Sequence, residues 1–206
     1  MSEEKTLLLS STYLAPVEYY LLMNRHPEVI IEQNDHYIKQ TYRNRCRIAS
    51  ANGIQTLSIP IEKPDSAKCL TRDIRIADHG NWRHLHWHAI VSAYSSTPFF
   101  EYYADDFRPF YEKPYQFLFD FNEELRILIC SLIDIHPAVV FSKEYCKGEI
   151  APSAVDFREV IHPKKESFIK DFKPYYQVFE SRFGFIPNLS IIDLLFNMGP
   201  ESTFYL

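Results

Sequence analysis

The chain has 206 residues and is 46% hydrophobic, enough for one globular domain with a substantial core. Its net charge of -5 argues against general affinity for nucleic acid or an anionic membrane surface, so any anion site must be local. Only 5 glycines are present and none is near another, which excludes the GxGxxG turn and the Walker-type phosphate loop.

The cysteines and the first residues predict a cytoplasmic protein. Cys46, Cys69, Cys130 and Cys146 are widely spaced and form no CxxC pair, as expected for free thiols in a reducing compartment. The start, "MSEEKTLLLSS", is acidic and has only a brief apolar run. It therefore resembles neither a signal peptide nor a membrane-spanning helix.

The first elements predict a βαβ unit. "TLLLSS" (6–11) is a short apolar run typical of a buried strand, and Pro16 suits the first turn of a helix that ends by Pro27. "EVIIEQ" (28–33) is a second, β-branched strand. Strand, helix and strand in this order favour parallel pairing. We predict an α/β fold with a Rossmann-like N-terminal βαβ core, a β-hairpin and a mainly helical C-terminal half.

The remaining elements follow from turn residues and hydrophobic period. Asn52-Gly53 predicts a type I′ hairpin turn within 45–60. Further predictions are a strand at 72–76, helices at 81–94, 121–135, 175–185 and 190–199, a helix broken near Pro109, and irregular structure over 136–174 with one short strand near "AVVFS". We predict one domain over 1–206, with a helical sub-lobe at about 81–135 as an alternative.

The densest basic stretch is "YIKQTYRNRCR". If it leads into the hairpin, strand alternation places Arg43, Arg45 and Arg47 on one face, near Lys39. Guanidinium groups in a row repel one another unless anions lie between them, and arginine binds phosphate or carboxylate through two donors. The row is either an anion-binding site or a solvated strand face.

A crevice is expected where the first strands end, because open α/β sheets bind ligands outside the carboxyl ends of their strands. The loop 10–13 and Glu18 follow the first strand, and Glu32 and Asp35 follow the second. The arginine row comes directly afterwards. It would complete a crevice lined by hydroxyls and carboxylates.

Histidines and a serine offer further candidates. His84 and His88 are four residues apart, but no third ligand is marked by spacing, so no metal site is predicted. His86 falls on the apolar stripe of its helix and is either a general base or a hydrogen-bonded core histidine. Ser190 and Asp193 predict a capping box at the last helix.

Several stretches together resemble the WbqC-like protein family. They are "YLAPVEYY", "VIIEQNDHYIKQTYRNRCRI", "NGIQTLSIPI", "NWRHLHWHAIVSAYSSTPFFEYY", "FDFNEEL" and "YYQVFESRFGFIPNLSIIDLLFNMGPES", and they cover nearly the whole chain. The resemblance implies a role in O-antigen or other surface-polysaccharide synthesis, where transfer of glycine or another aminoacyl group to a sugar has been suggested. It also favours a functional role for the RNR row and His86, which are motif positions.

Together these observations predict a transferase that acts on a nucleotide- or lipid-linked sugar, or on another phosphorylated small molecule. His86 or Glu32 would be the base, and Lys39 would bind phosphate or stabilise developing charge. The predicted ligand-binding residues are Tyr13, Glu18, Asp35, Tyr37, Arg43, Asn44, Arg45 and Trp82. The alternative is a non-catalytic glycan-precursor-binding or assembly protein. No cofactor, metal or nucleic-acid partner is predicted, and the oligomeric state is open.

Overall fold

A four-stranded parallel sheet is at the centre of the computed structural model, which describes residues 6–64, 66, 68–146 and 154–206. The strands are β1 (Thr6–Ser10), β2 (Glu28–Glu32), β3 (Arg45–Ser50), β4 (Gly53–Ser58), β5 (Ala138–Phe141) and β6 (Ala154–Asp156). The α-helices are α1 (Val17–Arg25), α2 (Trp82–Tyr94), α3 (Phe100–Glu112), α4 (Leu118–Leu132), α5 (Glu180–Phe183) and α6 (Ile191–Met198). Two 3₁₀ helices span Thr71–Asp73 and Gly199–Tyr205.

The sheet has the strand order β5-β2-β1-β6, and every neighbouring pair is parallel. The predicted β1-α1-β2 unit is confirmed, with Leu7 opposite Val29 and Leu9 opposite Ile31. These side chains are buried because helices and loops cover the sheet. All four carboxyl ends therefore lie at one edge of the sheet.

The predicted hairpin is also confirmed, but its turn type is not. β3 and β4 are antiparallel, and Ser50 pairs with Gly53. Gly53 has a positive φ of 99°, whereas Asn52 is not among the residues with positive φ. A type I′ turn needs positive φ at both central positions, so this turn is of another kind.

The helices α2, α3 and α4 agree with the apolar periodicity. The predicted break near Pro109 is wrong, because α3 continues through it to Glu112. Pro109 lies in the last turn, where its ring removes a single hydrogen bond and the Lys113 N–H still donates to the Pro109 carbonyl. Of the described helices, each is too short or too polar to cross a bilayer.

Three local predictions fail. Residues 72–76 form no strand: Thr71–Asp73 is a 3₁₀ helix, and Arg75 and Ile76 make only isolated bridges. Helix α5 is much shorter than the predicted 175–185, because the Gln177 side chain bonds main-chain groups of Ile186 and fixes an irregular loop. The chain after α4 was predicted to hold one short strand, near "AVVFS"; that strand is confirmed as β5, but the second strand, β6, was not foreseen.

Helix α6 is tied to the rest of the fold by buried polar groups. Ser190 is its N-cap residue, but the Ser190 hydroxyl donates to the Leu14 carbonyl at 2.8 Å and makes no cap hydrogen bond. The Asp193 carboxylate accepts hydrogen bonds from Tyr94, Tyr175 and Gln177. The predicted capping box is therefore wrong, because both side chains serve tertiary contacts.

Candidate functional site

A cleft of about 570 Å³ opens at the carboxyl edge of the parallel sheet. Its lining combines side chains that follow β2 and β5, side chains in and after β6, and Leu70: Asn34, Asp35, His36, Ile38, Leu70, Tyr145, Asp156, Arg158 and Glu159. Its volume is typical of a small-molecule site. Its position is the one expected for ligands in open α/β sheets.

Glu32 ends β2 beneath the cleft and is fully buried. Its carboxylate accepts hydrogen bonds from the Asn34 N–H, the Cys146 N–H, the Ser142 hydroxyl and the Arg158 guanidinium, at 2.5–3.1 Å. The oxygens are thus occupied by groups that join β2 to the ends of β5 and β6. This arrangement holds the floor of the cleft in place.

Arg43 is paired inside the protein. Its guanidinium is 2% exposed and forms an ion pair with Asp35 and a 2.9 Å hydrogen bond to the Ser10 hydroxyl. The Asp35 carboxylate also accepts from the Thr71 hydroxyl at 2.5 Å. Arg43 precedes β3 and lies in a turn, so strand alternation does not govern its direction. The predicted closeness of Arg43 to the loop after β1 is present.

Arg158 is the second buried cation at the cleft. Its guanidinium donates to Asp156, Glu32 and the Cys146 carbonyl, and lies 5.2 Å from the centre of the Tyr145 ring. Burial acts to raise the pKa of Asp156, but hydrogen bonds from Arg158 outweigh it, and the net pKa of that carboxyl is lowered. Asp156 is therefore a carboxylate at neutral pH.

Carboxylates outnumber guanidinium groups around the cleft. Glu32, Asp35, Asp156 and Glu159 contribute four carboxylates, whereas three guanidinium groups are present, those of Arg43, Arg158 and Arg72, the last of which donates to Asn34 at 2.7 Å. Glu159 differs from the other three because its side chain is 61% exposed, and its nearest cation is Arg43 at 3.8 Å. It is the lining carboxylate most accessible to a ligand. The exposed Tyr145 ring lines the same cleft.

Residues 36–39 separate the cleft from a second pocket, which has a volume of about 310 Å³. His36 and Ile38 line the cleft, whereas Tyr37 and Lys39 line the second pocket. This alternation follows from extended backbone, because His36 bridges to Leu70 in antiparallel fashion. The second pocket is lined by Tyr37, Lys39, Lys63, Pro64, Ser66 and Cys69.

Three predicted residues lie in an aromatic core instead. Tyr13, Trp82 and His86 are buried and are not among the side chains that line the cleft. The Tyr13 hydroxyl contacts His86 Nδ1 at 3.0 Å and the Tyr111 hydroxyl at 2.8 Å. Burial lowers the pKa of His86 to about 4, although a hydrogen bond to the Ser58 main chain opposes the shift. This geometry matches a hydrogen-bonded core histidine, neutral at pH 7.

The other predicted residues have separate positions. Glu18 is buried on α1 and accepts a hydrogen bond from the Ser167 hydroxyl. The Asn44 amide donates to the Ile59 carbonyl at 2.8 Å and so fixes the start of the hairpin. The rings of His84 and His88 lie 4.1 Å apart. Within the described residues, no group of three or more His, Cys, Asp or Glu side chains is placed to hold a metal ion.

Tyr145, Arg158 and Glu159 were not predicted from the sequence. A signal was present, since "AVDFREV" is a short β-prone run followed by charged residues, the pattern that marked Glu32 and Asp35 after β2. The strand is only three residues long and does not stand out by periodicity. Its pairing with β1 brings Arg158 to the cleft.

The fold and the cleft define an α/β protein with a ligand-sized site at the carboxyl edge of a parallel sheet. The model of the WbqC-like protein family matches residues 11–165, so the chain belongs to this family, as its motifs predicted. It is also similar to Uncharacterized protein Rv1507c of Mycobacterium tuberculosis, with 29% identity over 226 residues, which cover 98% of this chain and 97% of the relative. Comparison with solved structures gives no match.

Proposed function

We propose that this protein is a transferase of surface-polysaccharide synthesis that binds the sugar of a nucleotide- or lipid-linked precursor in the cleft. The observation that carries the proposal is the cleft itself, at the carboxyl edge of the sheet and with a volume of about 570 Å³. Its lining offers carboxylate and amide oxygens that accept hydrogen bonds from sugar hydroxyls, and an aromatic ring on which a sugar packs.

The charge of the lining supports a neutral or cationic group in the cleft. Arg43 and Arg158 are already paired with Asp35, Asp156 and Glu32, so a phosphate placed between them would compete with these carboxylates. Glu159 is accessible and would accept a hydroxyl or ammonium proton. The resemblance to the family, with its implied transfer of an aminoacyl group to a sugar, is consistent with such a ligand.

A second candidate function is a non-catalytic protein that holds the same precursor. It is favoured by the hydrogen bonds and the burial of the two predicted bases, Glu32 and His86. The Glu32 carboxylate already accepts four hydrogen bonds, and His86 is buried with a pKa of about 4. Neither is poised to remove a proton from a ligand in the cleft. A transferase reaction would therefore depend on Glu159.

The proposal is tested by mass spectrometry of small molecules that co-purify with the protein. We expect wild type to retain a sugar-containing phosphorylated metabolite. The double variant Glu159→Gln, Tyr145→Ala should lose it, because both side chains line the cleft and are accessible. Glu112→Gln, at the exposed end of α3, is the matched control and should retain it.

The protein purified with its metabolite also distinguishes a transferase from a binding protein. Incubated with candidate acceptors, a transferase gives a product of changed mass, whereas a binding protein returns the metabolite unaltered. Equal recovery from wild type and from the double variant would show that the cleft is not the binding site. Absence of any sugar from wild type would contradict both functions.

A further inference from the structure

The second pocket, which residues 36–39 separate from the cleft, carries positive charge. Lys39 and Lys63 line it, and no acidic side chain is among its described lining residues. Arg45 is not a lining residue, but its positive charge, like that of Arg43, acts on the hydroxyl of Tyr37, which is in the lining. Two lysines therefore line one concave site, with the charge of Arg45 acting on a third lining residue, in a chain whose net charge is -5.

These cations have no internal partner in the described part of the chain. Lys39, Lys63 and Arg45 donate no side-chain hydrogen bond and form no ion pair there, and the Arg45 Nε is buried without a partner. Arg43, Arg158 and Arg126 provide the contrast, because each is paired with a carboxylate. Uncompensated like charges repel one another, and this repulsion is relieved when an anion binds.

The neutral groups of the second pocket are also suited to an anion. Burial raises the pKa of Tyr37 to about 12, although the charges of Arg43 and Arg45 oppose the shift. The phenol is therefore protonated at neutral pH and is available as a donor. The Ser66 hydroxyl is a further group of the lining. Donors and positive charge thus converge without a glycine-rich loop.

We propose that the second pocket binds a phosphate group of a small molecule, through Lys39, Lys63, Arg45 and Tyr37. Two lining lysines together with the charge of Arg45 favour a multiply charged phosphate or diphosphate over a single carboxylate, and about 310 Å³ accommodates such a group. The inference rests on the proposed function for the sugar to which the phosphate is attached. Phosphate binding can be measured without that sugar.

The test is calorimetric titration with inorganic pyrophosphate at low ionic strength. We expect saturable 1:1 binding to wild type that weakens as salt is added. Lys63→Gln and Lys39→Gln should each weaken it by roughly ten- to hundredfold, the range for loss of a hydrogen bond to a charged group. Both lysines are exposed, so neither substitution should alter folding, and melting curves verify this.

Two further variants make the test more specific: Arg45→Lys, and Lys113→Gln outside both pockets. Arg45→Lys should not restore what Arg45→Gln loses, because lysine lacks the planar pair of donors. Lys113→Gln, at the exposed end of α3 and outside both pockets, is the matched control and should bind as wild type does. The proposal is overturned by absent binding to wild type, or by equal losses in Lys63→Gln and Lys113→Gln.

The cleft variant distinguishes this proposal from the proposed function. Glu159→Gln, Tyr145→Ala should bind pyrophosphate as tightly as wild type, since neither residue lines the second pocket. Loss of pyrophosphate binding in that variant would move the phosphate to the cleft and overturn the assignment. Intact pyrophosphate binding without any retained sugar would contradict only the proposed function.

Discussion

His86 is a buried residue whose protonation opposes folding. The ring is 5% exposed, its Nδ1 faces the Tyr13 hydroxyl, and burial lowers its pKa to about 4. The pKa of a histidine in an unfolded chain is about 6.5. Between pH 4 and about pH 6.5, the unfolded chain therefore binds more protons than the native protein. The stabilisation is complete above about pH 6.5 and is lost as the pH falls towards 4.

We therefore predict that His86 makes the protein less stable by about 2 kcal/mol at pH 5 than at pH 7.5. The measurement is urea unfolding at the two pH values. His86→Gln should show a correspondingly smaller difference between them, whatever its absolute stability. His79→Gln, in an exposed loop before α2, should keep the wild-type difference. Titration of the His86 imidazole by NMR with a pKa above 6 would contradict the prediction.

The arginine row illustrates what residue spacing can and cannot predict. Spacing identified a charged segment next to the site, and the structure brings Arg43 to Ser10 and Asp35 as the predicted crevice required. Spacing could not predict that Asp35 pairs with Arg43, or that Arg45 has no internal partner in the described chain. That outcome depends on the turn before β3 and on Thr71, which lies far away in sequence.

At the scale of elements, the end of α6 depends on one glycine. Gly199 follows α6 with a positive φ of 54°, and a methyl group there would overlap the ring of Phe99. Phe99 is held against α6, because its N–H donates to the Phe196 carbonyl at 3.1 Å. The position thus combines a backbone conformation that favours glycine with close packing.

We predict that Gly199→Ala destabilises the protein by about 4 kcal/mol, the sum of about 1–3 for a backbone conformation almost confined to glycine (φ 54°, ψ -128°) and about 1–3 for overpacking. Gly184→Ala is the matched control, since Gly184 has a φ of 70° but no heavy atom within 4 Å of the added carbon. It should lose only the backbone contribution of about 1–3 kcal/mol, since its ψ of -177° is also in a region almost confined to glycine. Equal losses in urea unfolding would show that Phe99 moves aside freely.

Predictions of elements succeeded where local signals were sufficient. β1, α1 and β2 are marked by apolar runs and by Pro16, and the hairpin by Asn52-Gly53. They failed where tertiary contacts decide: residues 72–76 have β propensity, but the carbonyl of Asp35 accepts the Thr71 N–H and the chain turns into a 3₁₀ helix. The three residues of β6 are a strand because β1 provides a pairing edge.

At the scale of the whole molecule, the cleft is assembled from distant parts of the chain. Asn34 and Asp35 follow β2, Tyr145 follows β5, and Arg158 follows β6. Sequence order could place the first group at a strand end, but only the strand order of the folded sheet brings the others beside it. This explains why Asp35 was predicted as a site residue whereas Tyr145 and Arg158 were not.

The helices α2, α3 and α4 are bonded to the rest of the chain at several points. The Tyr94 hydroxyl donates to Asp193 on α6 at 2.9 Å, and the Asn122 amide donates to the Arg43 carbonyl at 2.8 Å. Tyr13, which follows β1, contacts His86 of α2. These buried links favour a single cooperative unit over a separate helical sub-lobe at about 81–135.

We predict that the protein unfolds in urea in one transition. Both tryptophans, Trp82 and Trp87, lie on α2, so their fluorescence reports the helical region, whereas circular dichroism reports the whole chain. The two signals should have the same midpoint and slope, because breaking the links to Arg43 and Asp193 exposes buried polar groups on both sides. A fluorescence transition at lower urea, with part of the dichroism retained, would instead show that the helices unfold separately.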